Sequence, residues 1–463
     1  MKHMNVFNTL TRKKEEFIPL VEGEYKIYVC GPTVYNYIHI GNARPAVVFD
    51  TLRRYLEYKG NNVKYVSNIT DVDDKIIKRS IEEGITFEEV ARKYENEYYH
   101  DLQGLNVRLA DARPRVSDHI PEIIDIVQTL IDKEHAYRVD NGDVYFRVHS
   151  FKDYGKLSHQ PLEELEAGAR IEVGEIKEAA ADFALWKAAK PGEPHWHSHF
   201  SEGRPGWHIE CSAMSRKHLG ETIDLHCGGQ DLIFPHHENE IAQSECASDK
   251  EFARYWMHNG YINVDNQKMS KSLNNFFTVR DISDQFGYEP IRYFLLTAHY
   301  RSPLNFTREV MEQAKSSLER LYTAREQLDF LAGASTGTEE TLKAVADKLK
   351  AEFIEVMDDD LNTADALSKL FELVTAINTT GTLQSKEAIV YTAEIFDELA
   401  GVLGLLYNRK TDEIPQRVKD LVAERTEVRK AKNWARADQI RDELAELGYI
   451  VKDTPQGPQI IAK

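Results

Sequence analysis

The stretch KIYVCGPTVYNYIHIGNARPAVVFDTLRRYLEYKGNNVKYVSN, Lys26 to Asn68, decides the fold. KIYVC (26–30) is a short apolar run of strand length. After a turn at Gly31-Pro32, VVFDTLRRYLEY carries Val48, Leu52, Tyr55 and Leu56 at helical spacing. Lys59-Gly60-Asn61-Asn62 stops that helix, and VKYVSN (63–68) alternates like a second strand. Strand, helix and strand within about 45 residues make a βαβ unit, parallel with a right-handed crossover. The expected fold is therefore α/β. Ligands in such sheets lie beyond the carboxyl ends of the strands, here the segment 30–42 and Asn68–Asp74.

The composition bounds the rest. With 463 residues, the chain is too long for one core and implies roughly three domains at ~150 residues each. Its 42% hydrophobic and 29% charged content is that of a soluble globular protein. No apolar run approaches the ~18 residues of a membrane span, and no secretory segment follows MKHMNVF. Four scattered cysteines (Cys30, Cys211, Cys227, Cys246) do not make a disulfide framework, so a reducing, cytoplasmic setting is expected. The net charge of −18 excludes a general salt-driven nucleic-acid binder, although a local basic patch remains open. Such a patch lies between Leu421 and Arg441, where Arg425, Arg429, Lys430, Lys432, Arg436 and Arg441 face only Glu424, Glu427 and Asp438.

Residues 118–202 read as an insertion. They contain the Pro-, Gly- and His-rich loop KPGEPHWHSHFSEGRPG (190–206), its His195, His197 and His199 read as solvated rather than ligating. From Arg308 to about Tyr407 the pattern is helical, broken at LAGASTGTEE (331–340) and INTTGTLQSKE (377–387). The polar linker RKTDEIPQ (409–416) precedes a short tail with a basic helix ending near Gly448.

Three stretches carry chemistry. HIGN, His39 to Asn42, sits at the strand-to-helix turn, where Gly41 permits close approach and the helix N-terminus suits phosphate. KMSKS, Lys268 to Ser272, can surround a polyphosphate with charge and hydroxyls. In FPHHENE (234–240) the order of residues is wrong for a zinc protease. With Pro235 in a first helical turn, His236 and Glu240 fall at i and i+4 on one face. Zinc ordinarily takes four ligands, so two more must come from elsewhere.

HIGN upstream of KMSKS, with a βαβ unit at the first, resembles a class I aminoacyl-tRNA synthetase. YVCGPTVYNYIHIGN, SNITDVDDKI, GRPGWHIECSAM, DLIFPHHENEIAQS, KMSKSLNNFFTVRDI and RKAKNWARADQIRDELAELGYIVKDTPQGP narrow the resemblance to the cysteinyl-tRNA synthetases, essentially end to end. The resemblance implies a Rossmann-type doubly wound parallel sheet with an insertion, then an α-helical bundle and a small C-terminal domain. Mapped onto the chain, it gives a catalytic core at 1–117 and 203–262, the second half with the zinc site, split by the connective insertion 118–202. A KMSKS and stem-contact region at 263–308 follows, then an anticodon-arm bundle at 309–408, with MDDDLNT (357–363) as its marker, and an anticodon-recognition domain at 409–463.

It further implies one Zn²⁺ on Cys30, Cys211, His236 and Glu240, leaving His237 and Glu238 to orient the site or line its pocket. Glu240 is the ligand expected to loosen when substrate sulfur binds. The substrates implied are L-cysteine, ATP with Mg²⁺, and the cognate cysteine tRNA, and a monomer is expected. His39 would donate to the phosphates, while Lys271 and Lys268 would stabilise pyrophosphate. Gly228, Gly229 and Asp231 would face the ribose, and Trp207 would wall the cysteine pocket. Arg425 to Arg441, with Trp434, would meet the anticodon. Two positions depart from the family pattern. Asn42 replaces the signature's second histidine, keeping donors but no positive charge, and Cys227 stands where glycine is expected, within reach of the metal site. The competing readings are a ligase passing cysteine to a small amine, a zinc hydrolase built on His236, His237 and Glu240, and a non-catalytic RNA-binding paralogue. The helical region and basic tail argue against the first, KMSKS against the second, and the intact ligands and lysines against the third.

Overall fold

The computed structural model describes residues 3–162, 164, 176–268, 276–380, 383–409, 415–454 and 457–462. These residues form two compact units. The first holds Met1–Lys315 together with Glu355–Asp365 and Val402–Leu405.

Its centre is a parallel sheet of four strands in the order Ala253–Asn259, Ile223–Gly229, Glu24–Val29, Asn62–Ser67. The register pairs Tyr28 with Val66 on one side and with His226 on the other. The two strands anticipated from sequence are thus adjacent. The helix between them, Ile40–Tyr58, begins seven residues before the apolar pattern does. It starts inside HIGN, where His39 caps it, and it takes in Pro45 within its second turn, where the missing N–H costs one helical hydrogen bond. Side-chain alternation sends Tyr28, Val66 and Trp256 to a core shared with Ile209 of helix Trp207–Leu219 and Ile241 of helix Glu238–Ser248. Residues of opposite parity, such as Ile27, Leu225 and Met257, are buried as well, and helix 40–58 packs on the same sheet. Both faces are covered, which is why these strands read as apolar runs.

An antiparallel sheet of five strands interrupts the core, in the order Ala136–Arg138, Val144–Phe146, Phe183–Ala188, Glu202–Pro205, Trp196–His197. Two of these strands lie in the stretch expected to be a solvated loop, and the sheet runs past the expected boundary at 202. The reason is packing: Phe200 and Ser198 turn inward, and Gly203 packs where a Cβ would lie 2.4 Å from the Lys187 carbonyl oxygen. His195, His197 and His199 stay exposed and join no ligand group among the described residues.

Helices Arg308–Ala334, Thr341–Asp358, Thr363–Thr380 and Lys386–Leu403 fill the region read as helical. MDDDLNT, expected to mark the bundle, falls in the first unit. Asp360 there accepts from the Phe7 N–H at 2.8 Å, Tyr300 Oη at 2.7 Å and Arg301 Nε at 2.9 Å. Within the second unit, Arg325 makes a two-pronged pair with Asp397 at 2.7 and 2.9 Å. The tail is larger than a single basic helix. Helices Gln416–Lys430 and Trp434–Glu446 are followed by a hairpin, Tyr449–Thr454 with Gly457–Ala462, around Val418, Leu421, Ile440 and Leu444.

Candidate active site and metal centre

The carboxyl ends of the four parallel strands run into Cys30, Asn68, Asp231 and Gly260, which all line one cavity of ≈ 470 Å³. This is the position the βαβ reading assigned to a ligand. Gly31 lets two strand ends meet there, since a Cβ at this residue would lie 1.6 Å from the Asn68 carbonyl oxygen. The Gly31 N–H donates to Asn68 Oδ1 at 2.9 Å, and the same oxygen lies 3.7 Å from Cys211 Sγ.

At one end of the cavity stands the phosphate turn. His39 caps helix 40–58, its Nδ1 accepting the Asn42 N–H at 3.3 Å, which makes Nε2 the donor side of the neutral ring. No acidic residue occupies the first helical turn, so the positive end of the helix is left for an anion. Asn42 is exposed, and His39, Gly41 and Asn42 all line the cavity. The Phe276 ring packs edge-on to His39 at 5.1 Å, and the Phe277 carbonyl accepts the Ile40 N–H at 3.3 Å. The segment following KMSKS is therefore anchored on HIGN. Lys271 lies outside the described residues. Lys268 is described only as backbone, paired with Asn263 in a two-residue strand.

At the other end, Cys30, Cys211, His236 and Glu240 bring one donor atom each to within 4.8 Å of one another. Cys30 Sγ is 3.8 Å from Cys211 Sγ and 3.6 Å from Glu240 Oε1, and His236 Nε2 is 3.0 Å from the same oxygen. Tetrahedral bonds of about 2.3 Å to sulfur, 2.0–2.1 Å to nitrogen and 2.0–2.2 Å to oxygen require separations of ~3.8 Å between sulfurs, ~3.6 Å from sulfur to oxygen and ~3.4 Å from nitrogen to oxygen, so the two sulfur distances match and the His236–Glu240 pair is a few tenths of an ångström closer. Two thiols, an imidazole and a carboxylate at these spacings fit zinc. A second group, Cys30, His226, His237 and Glu240, shares two of the ligands. Cys30, Cys211 and His236 line the cavity whereas His226 and His237 do not, so the first group has three members on the cavity and the second only the shared Cys30.

The local backbone differs from the simple helix expected. Phe234 is extended and the Phe234–Pro235 peptide is cis, with the regular helix starting at Glu238. The break falls at Phe234, so Pro235 opens the helical run that continues into Glu238–Ser248, as expected, and His236 and Glu240 meet one turn apart.

Electrostatics divide the roles. Burial pushes the Cys30 thiol up, reinforced by Cys211 and Glu240, while the hydrogen bond with Cys30 draws Cys211 down to about 6 against burial. The two thiols titrate as a coupled pair. Burial works against the Glu240 carboxylate, but His226 and His236 hold it at about 2.

Around the donors lies a histidine shell, of which His208, His226 and His258 have no role assigned from the sequence. His208 Nδ1 meets His236 Nδ1 at 3.0 Å, which turns His236 Nε2 toward the other ligands. His226 Nε2 holds Glu240 Oε2 at 2.8 Å. His237 Nε2 lies 3.2 Å from Cys30 Sγ, and its Nδ1 continues to His258 at 2.8 Å and on to Thr9 Oγ1 at 2.8 Å. His237 thus orients the site, as the resemblance implied. Glu238 does not reach the cavity: its carboxylate accepts the N–H groups of Gly155 at 2.9 Å and Ser158 at 2.7 Å, tying the insertion to the core. In WHIEC, His208 precedes Cys211 by one helical turn, the one spacing that could have flagged it.

Trp207 walls the cavity and stacks on His236 at 4.3 Å. Gly229 and Asp231 line it, while Gly228 packs against His237, where a Cβ would lie 2.8 Å from the ring. Cys227 was expected to approach the metal. Next to His226 on its strand, it points to the opposite face, beside Tyr65 and Tyr300, and joins no ligand group among the described residues. In the tail, five of the six cations stand in ion pairs: Arg425 with Asp453 at 2.7 and 3.0 Å, Arg429 with the same carboxylate, Arg436 with Glu424 and Glu443, Lys430 with Glu427 and Arg441 with Asp438. Trp434 remains 57% exposed, with the Arg429 guanidinium 5.8 Å from its ring.

Comparison with known proteins gives a concordant result. Residues 16–316 match the family model of the class I tRNA synthetase (C) catalytic domain, 352–407 a DALR domain, and 411–460 the cysteinyl-tRNA ligase anticodon binding domain. The cysteine–tRNA ligase of Caldicellulosiruptor saccharolyticus is 57% identical over 462 residues, 99% of both chains. That of Clostridioides difficile is 55% identical over 460 residues, covering 98% of this chain and 99% of the relative. Mycobacterium tuberculosis methionyl-tRNA synthetase, solved with methionyl-adenylate, superposes with a TM-score of 0.62 at 15% identity, over 82% of this chain and 90% of the other, a likeness of fold. The leucyl-tRNA synthetase of Agrobacterium radiobacter K84, solved as a ternary complex with tRNA, superposes with a TM-score of 0.62 at 10% identity, over 84% and 85%. No described helix is long and apolar enough to cross a membrane. Sequence identity along the whole length, on the fold and cavity set out above, leaves one conclusion: the chain belongs to the cysteine–tRNA ligase family of class I aminoacyl-tRNA synthetases.

Proposed function

We propose that the chain activates L-cysteine with ATP and passes it to its cognate tRNA, with an active-site zinc selecting the substrate by its sulfur. The observation that carries this reading is that three of the four candidate metal ligands and the phosphate turn line one cavity. Cys30, Cys211, His236 and Glu240 would hold the ion, and when bound it would supply a borderline-soft Lewis acid that takes a thiolate in preference to a hydroxyl.

The carboxylate oxygen of cysteine attacks the α-phosphorus of ATP. A phosphorus–oxygen bond forms, the bridging bond to the β-phosphate breaks, and pyrophosphate leaves from cysteinyl-adenylate. A terminal ribose hydroxyl of the tRNA then attacks the carbonyl carbon, losing its proton, and AMP departs. Positioning and charge stabilisation suffice for both steps. His39 Nε2–H and the N-terminus of helix 40–58 serve the phosphates, with Lys271 and Lys268 closing over pyrophosphate. Gly229 and Asp231 face the ribose. Trp207 closes the amino-acid end, its stacking on His236 tying the pocket wall to a ligand. Glu240 has its Oε2 held by His226, which would leave Oε1 to face the ion. A pocket judging size alone discriminates about 10²-fold against a near-isostere, whereas a specific polar partner reaches about 10⁴ or more.

The test is cysteine-dependent exchange of pyrophosphate into ATP, run beside charging of cysteine tRNA. Exchange with charging supports the proposal. Exchange without charging moves it to a ligase with a small amine acceptor, and no exchange by the zinc-loaded chain overturns it.

A further inference from the structure

Two arginines of the first unit are fully buried in neighbouring elements, and they are treated differently. Arg292 is paired with the Asp50 carboxylate at 2.8 Å. Arg44, five residues into HIGNAR, has only neutral acceptors. Its Nη1 donates to the Gly260 and Tyr261 carbonyls at 2.7 and 3.0 Å, and its Nη2 to the His299 carbonyl at 3.2 Å. Nε has no partner among the described residues. Burial lowers its affinity for the proton to about 10, and no carboxylate offsets that effect. A guanidinium still stays charged there at neutral pH.

An uncompensated buried charge is costly, and a simple tie between a strand end and a helix does not require one. The surroundings show what would neutralise it. Asn42 and Pro45 on its own helix line the cavity, and so do Gly260 and Tyr261, the carbonyls it holds. Gly260 is itself wedged, since a Cβ would lie 2.6 Å from the Arg301 carbonyl oxygen. Arg44 therefore stands directly behind the wall that joins the phosphate turn to the end of the strand Ala253–Asn259, where screening by solvent is weak.

We propose that Arg44 is a positioning residue for the nucleotide: it fixes the Gly260–Tyr261 backbone against the signature helix and leaves its buried positive charge to be balanced by the bound polyphosphate. The inference rests on the proposed activation of cysteine with ATP. It adds a cation outside the HIGN and KMSKS motifs, acting through the wall and not by contact.

The test compares Arg44→Met, which removes the charge at similar length, with Arg44→Lys, which keeps the charge and loses the fork. ATP affinity is measured on the purified zinc-loaded full chain by calorimetry at low and high salt, with cysteine affinity, zinc content and melting temperature alongside. Arg44→Met is expected to weaken ATP about tenfold and to flatten its salt dependence, while Arg44→Lys stays within about threefold of the parent. Cysteine affinity and zinc content should not move. Equal losses of ATP affinity in both variants, or parent-like affinity in Arg44→Met with only a lower melting temperature, would overturn the proposal. Should the methionine variant not fold, Arg44→Gln against Arg44→Lys makes the same comparison. Binding is read without turnover, so a failure of pyrophosphate exchange in the parent would count against the proposed reaction separately.

Discussion

Replacing metal ligands one at a time distinguishes the two donor groups that share Cys30 and Glu240. If the ion sits with Cys211 and His236, then Cys211→Ser and His236→Ala each remove a direct ligand. Structural zinc binds with an apparent 10–16 kcal/mol spread over four ligands, or about 2.5–4 kcal/mol each. That corresponds to a weakening of about 10²–10³-fold. His226→Ala and His237→Ala would instead remove groups that orient Glu240 and Cys30, a loss of about 10–100-fold. The assay is competition for zinc against a chromophoric chelator at pH 7.5. Cobalt substitution gives a second readout independent of turnover: the thiolate-to-cobalt absorption of the parent should fall by about half in Cys211→Ser, as one of two thiolates is lost. In the parent it should rise when L-cysteine is added and stay unchanged with L-serine. The reasoning is refuted if His226→Ala and His237→Ala lose zinc while Cys211→Ser and His236→Ala retain it. That result would place the ion away from the cavity, where it could not meet the substrate.

Two further outcomes follow from the charge networks. Asp50 accepts from Arg292 Nη2 at 2.8 Å, Arg54 Nε at 2.7 Å and the Arg108 N–H at 3.0 Å, all in or near the core. Asp50→Asn leaves the buried Arg292 without its anion and should cost about 3–5 kcal/mol in chemical denaturation of the first unit; a loss below ~1 kcal/mol would show the network to be dispensable. In the tail, Arg425 holds the Asp453 carboxyl down at about 2, helped by Arg429. A depressed carboxyl contributes stability in full above its ordinary value near 3.8 and loses it as pH falls through about 2. Because Asp453 is half exposed, the contribution is about 1 kcal/mol or less. Melting curves of parent and Asp453→Asn should therefore differ at pH 6, draw together below pH 3.8 and converge only below about pH 2, and a gap constant with pH would contradict the assignment.

The sequence by itself determined the βαβ start of the sheet, because strand and helix periods and the stops at Gly31-Pro32 and Lys59–Asn62 are local properties of the chain. The helical second half was legible for the same reason. His236 and Glu240 could be paired by spacing alone, since four residues define one helical turn. Which thiols complete their site could not: Cys30 and Cys211 are separated by 181 residues, and the βαβ pattern does not say which strand ends will face each other. Family resemblance supplied that pair, and the folded chain brings them to 3.8 Å. Cys227 shows the limit most plainly, for it is three residues before Gln230 and near the site in sequence, yet strand alternation turns it to the far side of the sheet. The strands hidden in the loop 190–206, the commitment of Arg425 and Arg436 to carboxylates, the histidines behind the ligands and the unpaired charge of Arg44 were likewise decided only by tertiary structure. In each case the partner lies far away along the chain or comes from another element, and only packing fixes which groups are buried together.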